Sequence, residues 1–283
     1  MNFAQGLKAP QGRAYIGVDG CRGGWLAAVI GPDGVRFELH RTVAGLVREH
    51  GDATMLVDMP MGLPHAGEPV RRCDAEARRL LGPRRASVFS PPCREALGER
   101  DHAGGNAVNR AVTGRGLSIQ AWNIAPRIRE LDELLRAEPG AVERLLECHP
   151  ELCFAALLGA PASHPKKTRP GREQRLKTLL GLCPDAKARI VQGLKNYGRL
   201  SAHDDFLDAL VLAVSLALAD PAASGGPDSG ARHGLTALGL DPVSGHTPRD
   251  AAGLPMVIHV PPGIGGASQP RDPSSKAGPS GRM

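Results

Sequence analysis

Six carboxylates stand where their neighbours make them chemically suggestive. Asp19 follows the apolar run Tyr15-Ile-Gly-Val18 and precedes a Gly-rich turn, Gly20-Cys-Arg-Gly-Gly24. Asp58 follows a second apolar run, Thr54-Met-Leu-Val57, and precedes the breakers Pro60, Gly62 and Pro64. Glu147 ends Arg144-Leu-Leu-Glu147, just before Cys148-His149-Pro150-Glu151. Asp204, Asp205 and Asp208 open an otherwise apolar stretch running to Ala219. On a helix Asp205 and Asp208 share a face, with Asp204 beside it. Hard oxygen ligands brought together in this way suit Mg2+ or Mn2+ rather than zinc. With a phosphate completing the shell, such ions activate water and stabilise a leaving oxygen. Each acid also has a plainer account. Asp19 and Asp58 can bond their own turns, and Asp204, Asp205 and Glu151 can favour a helix N-terminus. Asp208 fits that account poorly. A carboxylate inside an apolar helix is buried, and must be paired, protonated or metal-bound.

The elements that would position these groups form a readable order. Tyr15–Val18, Trp25–Ile30 and Val35–His40 read as three strands, the last two joined at the hairpin signal Gly31-Pro-Asp-Gly34. Thr42–His50 suits a short helix and Thr54–Val57 a buried strand. Two helices follow, over Glu68–Leu81 and Ser118–Arg136, the second interrupted by Pro126. Arg144–Cys148 reads as a strand. Pro150–Leu158, Arg172–Leu182 and Ala186–Leu194 read as helices, and Leu254–Val260 as a last strand. Ser201 is positioned to cap the helix ending at Ala219, with Asp204 completing a capping box. The expectation is an α/β fold: a mixed sheet of three antiparallel strands followed by parallel ones. Ligands bind such sheets beyond the carboxyl ends of strands, where Asp19 and Asp58 are expected.

The chain carries a net charge of +6, unevenly spread. Residues 71–129 hold twelve arginines against five acids, and residues 166–199 hold ten Lys or Arg against two. Such segments attract polyanions, although an Arg-rich solvated surface gives the same pattern. Aromatics make up only 3%, which argues against an extended base-stacking platform. The six cysteines show no CxxC or zinc-finger spacing and read as buried thiols. No apolar run is long enough to span a bilayer, and residues 1–10 lack the apolar core of a secretory signal. A cytoplasmic protein without a membrane partner is expected. Residues 1–12 and 263–283 read as flexible tails around a domain over 13–262, with a helical insert at about 65–140 and a surface loop at 221–234.

Six ordered blocks carry a resemblance: Gly17-Val-Asp19-Gly-Cys-Arg-Gly-Gly-Trp25, Val57-Asp58-Met-Pro60-Met-Gly62-Leu-Pro64, Arg85-Ala-Ser-Val-Phe89 with Pro92, Gly116-Leu-Ser118-Ile-Gln120-Ala-Trp122-Asn123-Ile124, Glu147-Cys-His149-Pro150-Glu151, and Asp204-Asp205-Phe-Leu-Asp208-Ala209. Together they resemble a bacterial family described as predicted RNase H-like nucleases, the domain of unknown function numbered 429. The Asp-Asp-x-x-Asp segment is also similar to the last helix of Holliday-junction resolvases. The resemblance implies an RNase H-like fold, a nuclease activity on DNA or RNA, and a Mg2+ or Mn2+ site. Its acids fall on Asp19, Asp58, Glu147, Asp205 and Asp208. RNase H itself carries a catalytic glutamate on its first helix, where this sequence offers only Glu49. Arg22, Arg85, Ser87, Ser118, Gln120 and Lys167, with Lys166 beside it, are expected on the substrate side, as donors to phosphate oxygens or base edges. Two other readings stay open. The turn after Asp19 is similar to the phosphate turn of actin-like kinases, and a non-catalytic nucleic-acid-binding protein would carry the same basic segments.

Overall fold

The computed structural model describes residues 6–220 and 234–263. Three strands, β1 (Tyr15–Cys21), β2 (Gly24–Gly31) and β3 (Gly34–His40), form an antiparallel meander whose turns fall at Arg22-Gly23 and Pro32-Asp33. The helix α1 (Val43–His50) then crosses over to β4 (Met55–Asp58), which pairs parallel with β1. Thr42 caps α1 by accepting from Gly45 N. The strand β5 (Leu145–Glu147) pairs parallel with β4, giving the order β3-β2-β1-β4-β5.

Alternation along the strands sends side chains to two cores. On one face Ile16, Val18, Trp25, Ala27, Val29, Met55 and Val57 pack with α1 and with α4 (Ile119–Ala137). Ser118 caps α4 through Ala121 N, and Pro126 lies inside it. Glu130 on α4 ties this layer together, since its carboxylate accepts from Trp25 Nε1 and from Val43 N. On the other face Tyr15, Leu26, Ala28, Ile30 and Leu56 pack against α8 (His203–Ala219). Helices α5 (Pro150–Leu158), α6 (Arg169–Leu180) and α7 (Ala186–Tyr197) surround α8. The region between β4 and β5 also holds α2 (Arg72–Leu81) and α3 (His102–Thr113). Helices thus cover both faces of one mixed sheet.

Gly17 lets α8 lie directly on β1. A Cβ at this position would fall 2.1 Å from Ala209 O and 2.4 Å from Ala213 N, far inside van der Waals contact.

Several expectations need revision. Residues 6–12 were expected as part of a tail, yet Leu7 and Ala9 are buried, with Leu7 N donating to Leu182 O and Ala9 N to Gly31 O. Two apolar side chains in an otherwise small and polar segment suffice to dock it. The helix ending at Ala219 is capped at Ala202, not Ser201. Its third residue, Asp205 rather than Asp204, accepts from Ala202 N at 2.7 Å and from Ser201 Oγ at 3.0 Å. The last strand is the short β7 (Ile258–Val260), which pairs with β6 (Thr236–Leu238) in a separate two-stranded sheet. All six cysteines are buried free thiols. Among the described residues no helix is long and apolar enough to cross a membrane. The loop expected at 221–234 and the C-terminal tail lie almost wholly outside the described residues.

Candidate metal centre

Asp19 and Asp58 are direct partners in the parallel register of β1 and β4. Partnered residues on one face of adjacent strands put their carboxylates side by side. Helix α8, seated on Gly17, brings Asp208 to the same point. One carboxylate oxygen from each of Asp19, Asp58 and Asp208 lies within 4.8 Å of the others. A hard cation binds oxygen at about 2.0–2.6 Å, so two of its ligands stand at most roughly 4–5 Å apart.

Asp208 is 1% exposed. Its Oδ2 accepts from Lys166 Nζ at 2.6 Å, and its Oδ1 is buried without a hydrogen-bond partner. Burial, then the Asp58, Asp208 and Asp205 charges, push the Asp19 carboxyl well above the usual carboxylate range. Burial also lifts Asp58 to about 6, with His149 and Lys166 opposing and Asp208 adding to it. The Asp208 charge, with Asp58 and Asp19 behind it, holds the Lys166 ammonium protonated against its own burial. An orphaned buried oxygen and carboxylates driven toward protonation are the marks of a site short of positive charge. The all-oxygen donor set fits Mg2+ or Mn2+.

The other expected ligands divide. Asp205 sits next to the trio, close enough to raise Asp19, but its Oδ2 serves the start of α8. Glu147 stays out of the cluster. Its carboxylate accepts from Met61 N at 2.7 Å and from the Arg71 guanidinium, and Arg71 also bonds Asp74 and Met61 O. Strand β5 sets Glu147 opposite Val57 rather than Asp58, one residue short of the carboxyl edge. Glu151 is likewise engaged, by Arg175 Nη2 at 2.5 Å. His149 caps α5, its Nδ1 accepting from Glu151 N while Nε2 faces Ser87 O, and it lies close enough to Asp58 to act on that carboxyl.

The residues expected on the substrate side, Arg22 first among them, fall in different places. Arg22 lines a cavity of about 590 Å3 together with Asn123, Arg127, Arg199 and Asp205, next to the aspartates. Ser87 donates to Arg84 O and Ser118 caps α4, which explains both hydroxyls locally. Arg85, Gln120 and Lys167 are exposed and outside this cavity's lining. Lys166 reaches the acids while Lys167 is exposed, and the sequence alone does not say which of two adjacent lysines turns inward. Asn123 lay within the Gln120-Ala-Trp122-Asn123 block, but Arg127 and Arg199 carried no signal beyond their charge.

This arrangement defines an α/β protein with a five-stranded mixed sheet and a three-aspartate cluster at the carboxyl edge of its central strands. The chain belongs to the family described as "Protein of unknown function (DUF429)", whose model matches residues 17–226. No curated protein and no solved structure is found to match it.

Proposed function

We propose that the chain is an RNase H-like nuclease that hydrolyses nucleic-acid phosphodiester bonds with a divalent metal ion. The observation that carries this reading is the convergence of Asp19, Asp58 and Asp208 oxygens within 4.8 Å beside an arginine-lined cavity. The strand order β3-β2-β1-β4-β5, antiparallel and then parallel, supports the RNase H-like assignment. Mg2+ or Mn2+ held by the three aspartates supplies activation of water and charge stabilisation of the leaving oxygen. The chain's own groups do the rest. Arg22, Arg127 and Arg199 receive the phosphates of a polyanion. Asp205 borders both the cavity and the acids, and limits how near an unneutralised phosphate comes to them. Buried sheet and helix hold the ligand oxygens in place before substrate arrives.

One observation favours a second reading. The Lys166 ammonium already offsets part of the cluster's charge, as it would in a non-catalytic nucleic-acid-binding protein that has kept the fold.

The test is cleavage of branched, single-stranded and hybrid substrates with Mg2+ or Mn2+, for the native chain and Asp19→Asn. Metal-dependent cleavage lost in the variant supports the nuclease. Salt-sensitive binding without turnover under either metal, unchanged in Asp58→Asn, supports the binding protein instead.

A further inference from the structure

A second group of metal-ligating side chains lies on the opposite face of the sheet. Asp19 shares its face with Gly17, which meets α8. Glu38 and His40 pair with Ala27 and Trp25, whose side chains belong to the core under α1 and α4. Residues two apart on a strand point the same way. Glu38 and His40 therefore face α1, whose last residue is His50.

The three side chains converge on one point. Glu38 Oε2 lies 2.8 Å from His50 Nε2 and 3.4 Å from His40 Nε2. One ligand atom from each lies within 4.8 Å of the others. The imidazoles stand edge to face, with centroids 5.8 Å apart. The surrounding groups complete a second layer. Arg36 Nε donates to the other Glu38 oxygen at 2.6 Å, and Glu49 Oε2 lies 3.6 Å from His40 Nδ1.

A neutral His40 cannot donate to both of the carboxylates that face its ring. If His40 donates from Nε2 to Glu38, the lone pair on Nδ1 faces the Glu49 carboxylate, unless the ring carries an extra proton. A metal ion resolves the conflict: Nε2 offers its lone pair to the ion and Nδ1–H points to Glu49. A carboxylate on the far nitrogen of a ligating histidine is the usual way such rings are oriented. Bonds of about 2.0–2.1 Å in tetrahedral geometry place ligand atoms about 3.3 Å apart; Glu38 to His40 at 3.4 Å matches this, and Glu38 to His50 at 2.8 Å would open slightly. Two imidazoles and one carboxylate suit zinc, whereas Mg2+ and Ca2+ prefer oxygen alone. The side chains of Glu38, His40 and His50 are 20%, 10% and 8% exposed, sheltered but open to an entering ion.

We propose that Glu38, His40 and His50 form a zinc-binding site, with water as fourth ligand, that clamps the edge strand β3 to the end of α1. It is separate from the aspartate cluster in place and in ligand chemistry.

The experiment is calorimetric titration of the chelator-treated full chain with Zn2+, in Mg2+ sufficient to load the aspartates. One equivalent is expected, retained in Asp208→Asn and lost in the His40→Gln/His50→Gln double variant. Glu49→Gln should weaken it by about 10–100-fold. Unchanged Zn2+ binding in the double variant overturns the site. If that variant does not fold, the native chain still decides. Zn2+ must shift the Nε2 resonances of two histidines in a nitrogen-correlated NMR spectrum, and a spectrum without such shifts overturns the proposal.

Discussion

Lys166 Nζ sits 2.6 Å from Asp208 Oδ2, so an ammonium from the loop before α6 is tied into the same three-aspartate cluster that is proposed to hold a metal ion. Lysine and metal therefore compete for one field of negative charge.

Replacing the lysine reads out that competition. Lys166→Met should tighten Mg2+ binding by about tenfold or more, because a unit charge at about 4 Å is worth roughly 1–4 kcal/mol between water and a partly screened site. The metal-free protein should lose about 1–3 kcal/mol, less than the 3–5 of a fully buried pair because the lysine side chain is 40% exposed. Calorimetry with Mg2+ and urea unfolding without it measure the two effects. Weaker Mg2+ binding in Lys166→Met would instead make the lysine a positioning group for Asp208.

The raised carboxyls give the site a pH dependence of defined sign. Asp58 titrates near 6 in the folded protein, above the ordinary aspartate value, and Asp19 is raised as well. A cation binds the ionised form. Mg2+ affinity should therefore rise with pH through about 6 as Asp58 ionises, by about tenfold per unit for each proton displaced, and go on rising as Asp19 loses its own raised proton. Without metal the sign reverses. The folded state keeps the Asp58 proton to higher pH than the unfolded chain does, so the stability this group contributes falls as pH rises between about 4 and 6. Asp58→Asn should then stabilise the metal-free protein at neutral pH by roughly 1–3 kcal/mol. Thermal unfolding across pH 4–8, with and without Mg2+, checks both signs.

Gly17 tests whether helix packing sets the site. Gly17→Ala leaves every ligand residue unaltered but puts a methyl against Ala209 O and Ala213 N. Overpacking of this kind costs about 1–3 kcal/mol or more. Mg2+ affinity should fall along with stability, as α8 moves Asp208 away from Asp19. A destabilised variant with undiminished Mg2+ binding would show that the aspartates do not depend on this contact.

Glu147 separates a ligand from a structural acid. Burial pushes it up to about 7 against the pull of Arg71, so the contrast is best read at pH 8, where the ion pair is formed. Glu147→Gln leaves the Arg71 guanidinium short of a partner and should cost about 3 kcal/mol. Mg2+ affinity should stay unchanged. Loss of Mg2+ binding in a variant of native stability would return Glu147 to the metal site.

Much of this was legible in the sequence because strand and helix periodicity is local. Tyr15–Val18 and Thr54–Val57 announced strands ending on acids, and the buried helix announced that Asp208 needed a partner. Glu147 looked equivalent to Asp58, but a strand-end position fixes no register. One residue of offset set it beside Arg71, whose approach through the region between β4 and β5 no local pattern reveals. Lys166 was hidden for a related reason: Pro165-Lys166-Lys167 gives two identical side chains and nothing to distinguish the inward one. Asp205 took the capping position expected of Asp204 because a helix that starts one residue later shifts every capping position.

The helix that carries Asp208 is also the one most deeply enclosed, lying on β1 with no space for a side chain at Gly17. Such elements open only with the whole molecule, so the backbone amides around Asp19 and Asp208 belong among the slowest to exchange with solvent. The aspartates therefore cannot close around a guest as a lid would. Whatever binds there meets a fixed mould, and adaptation on contact falls to the bound molecule and to the exposed Arg22 and Arg199 of the neighbouring cavity.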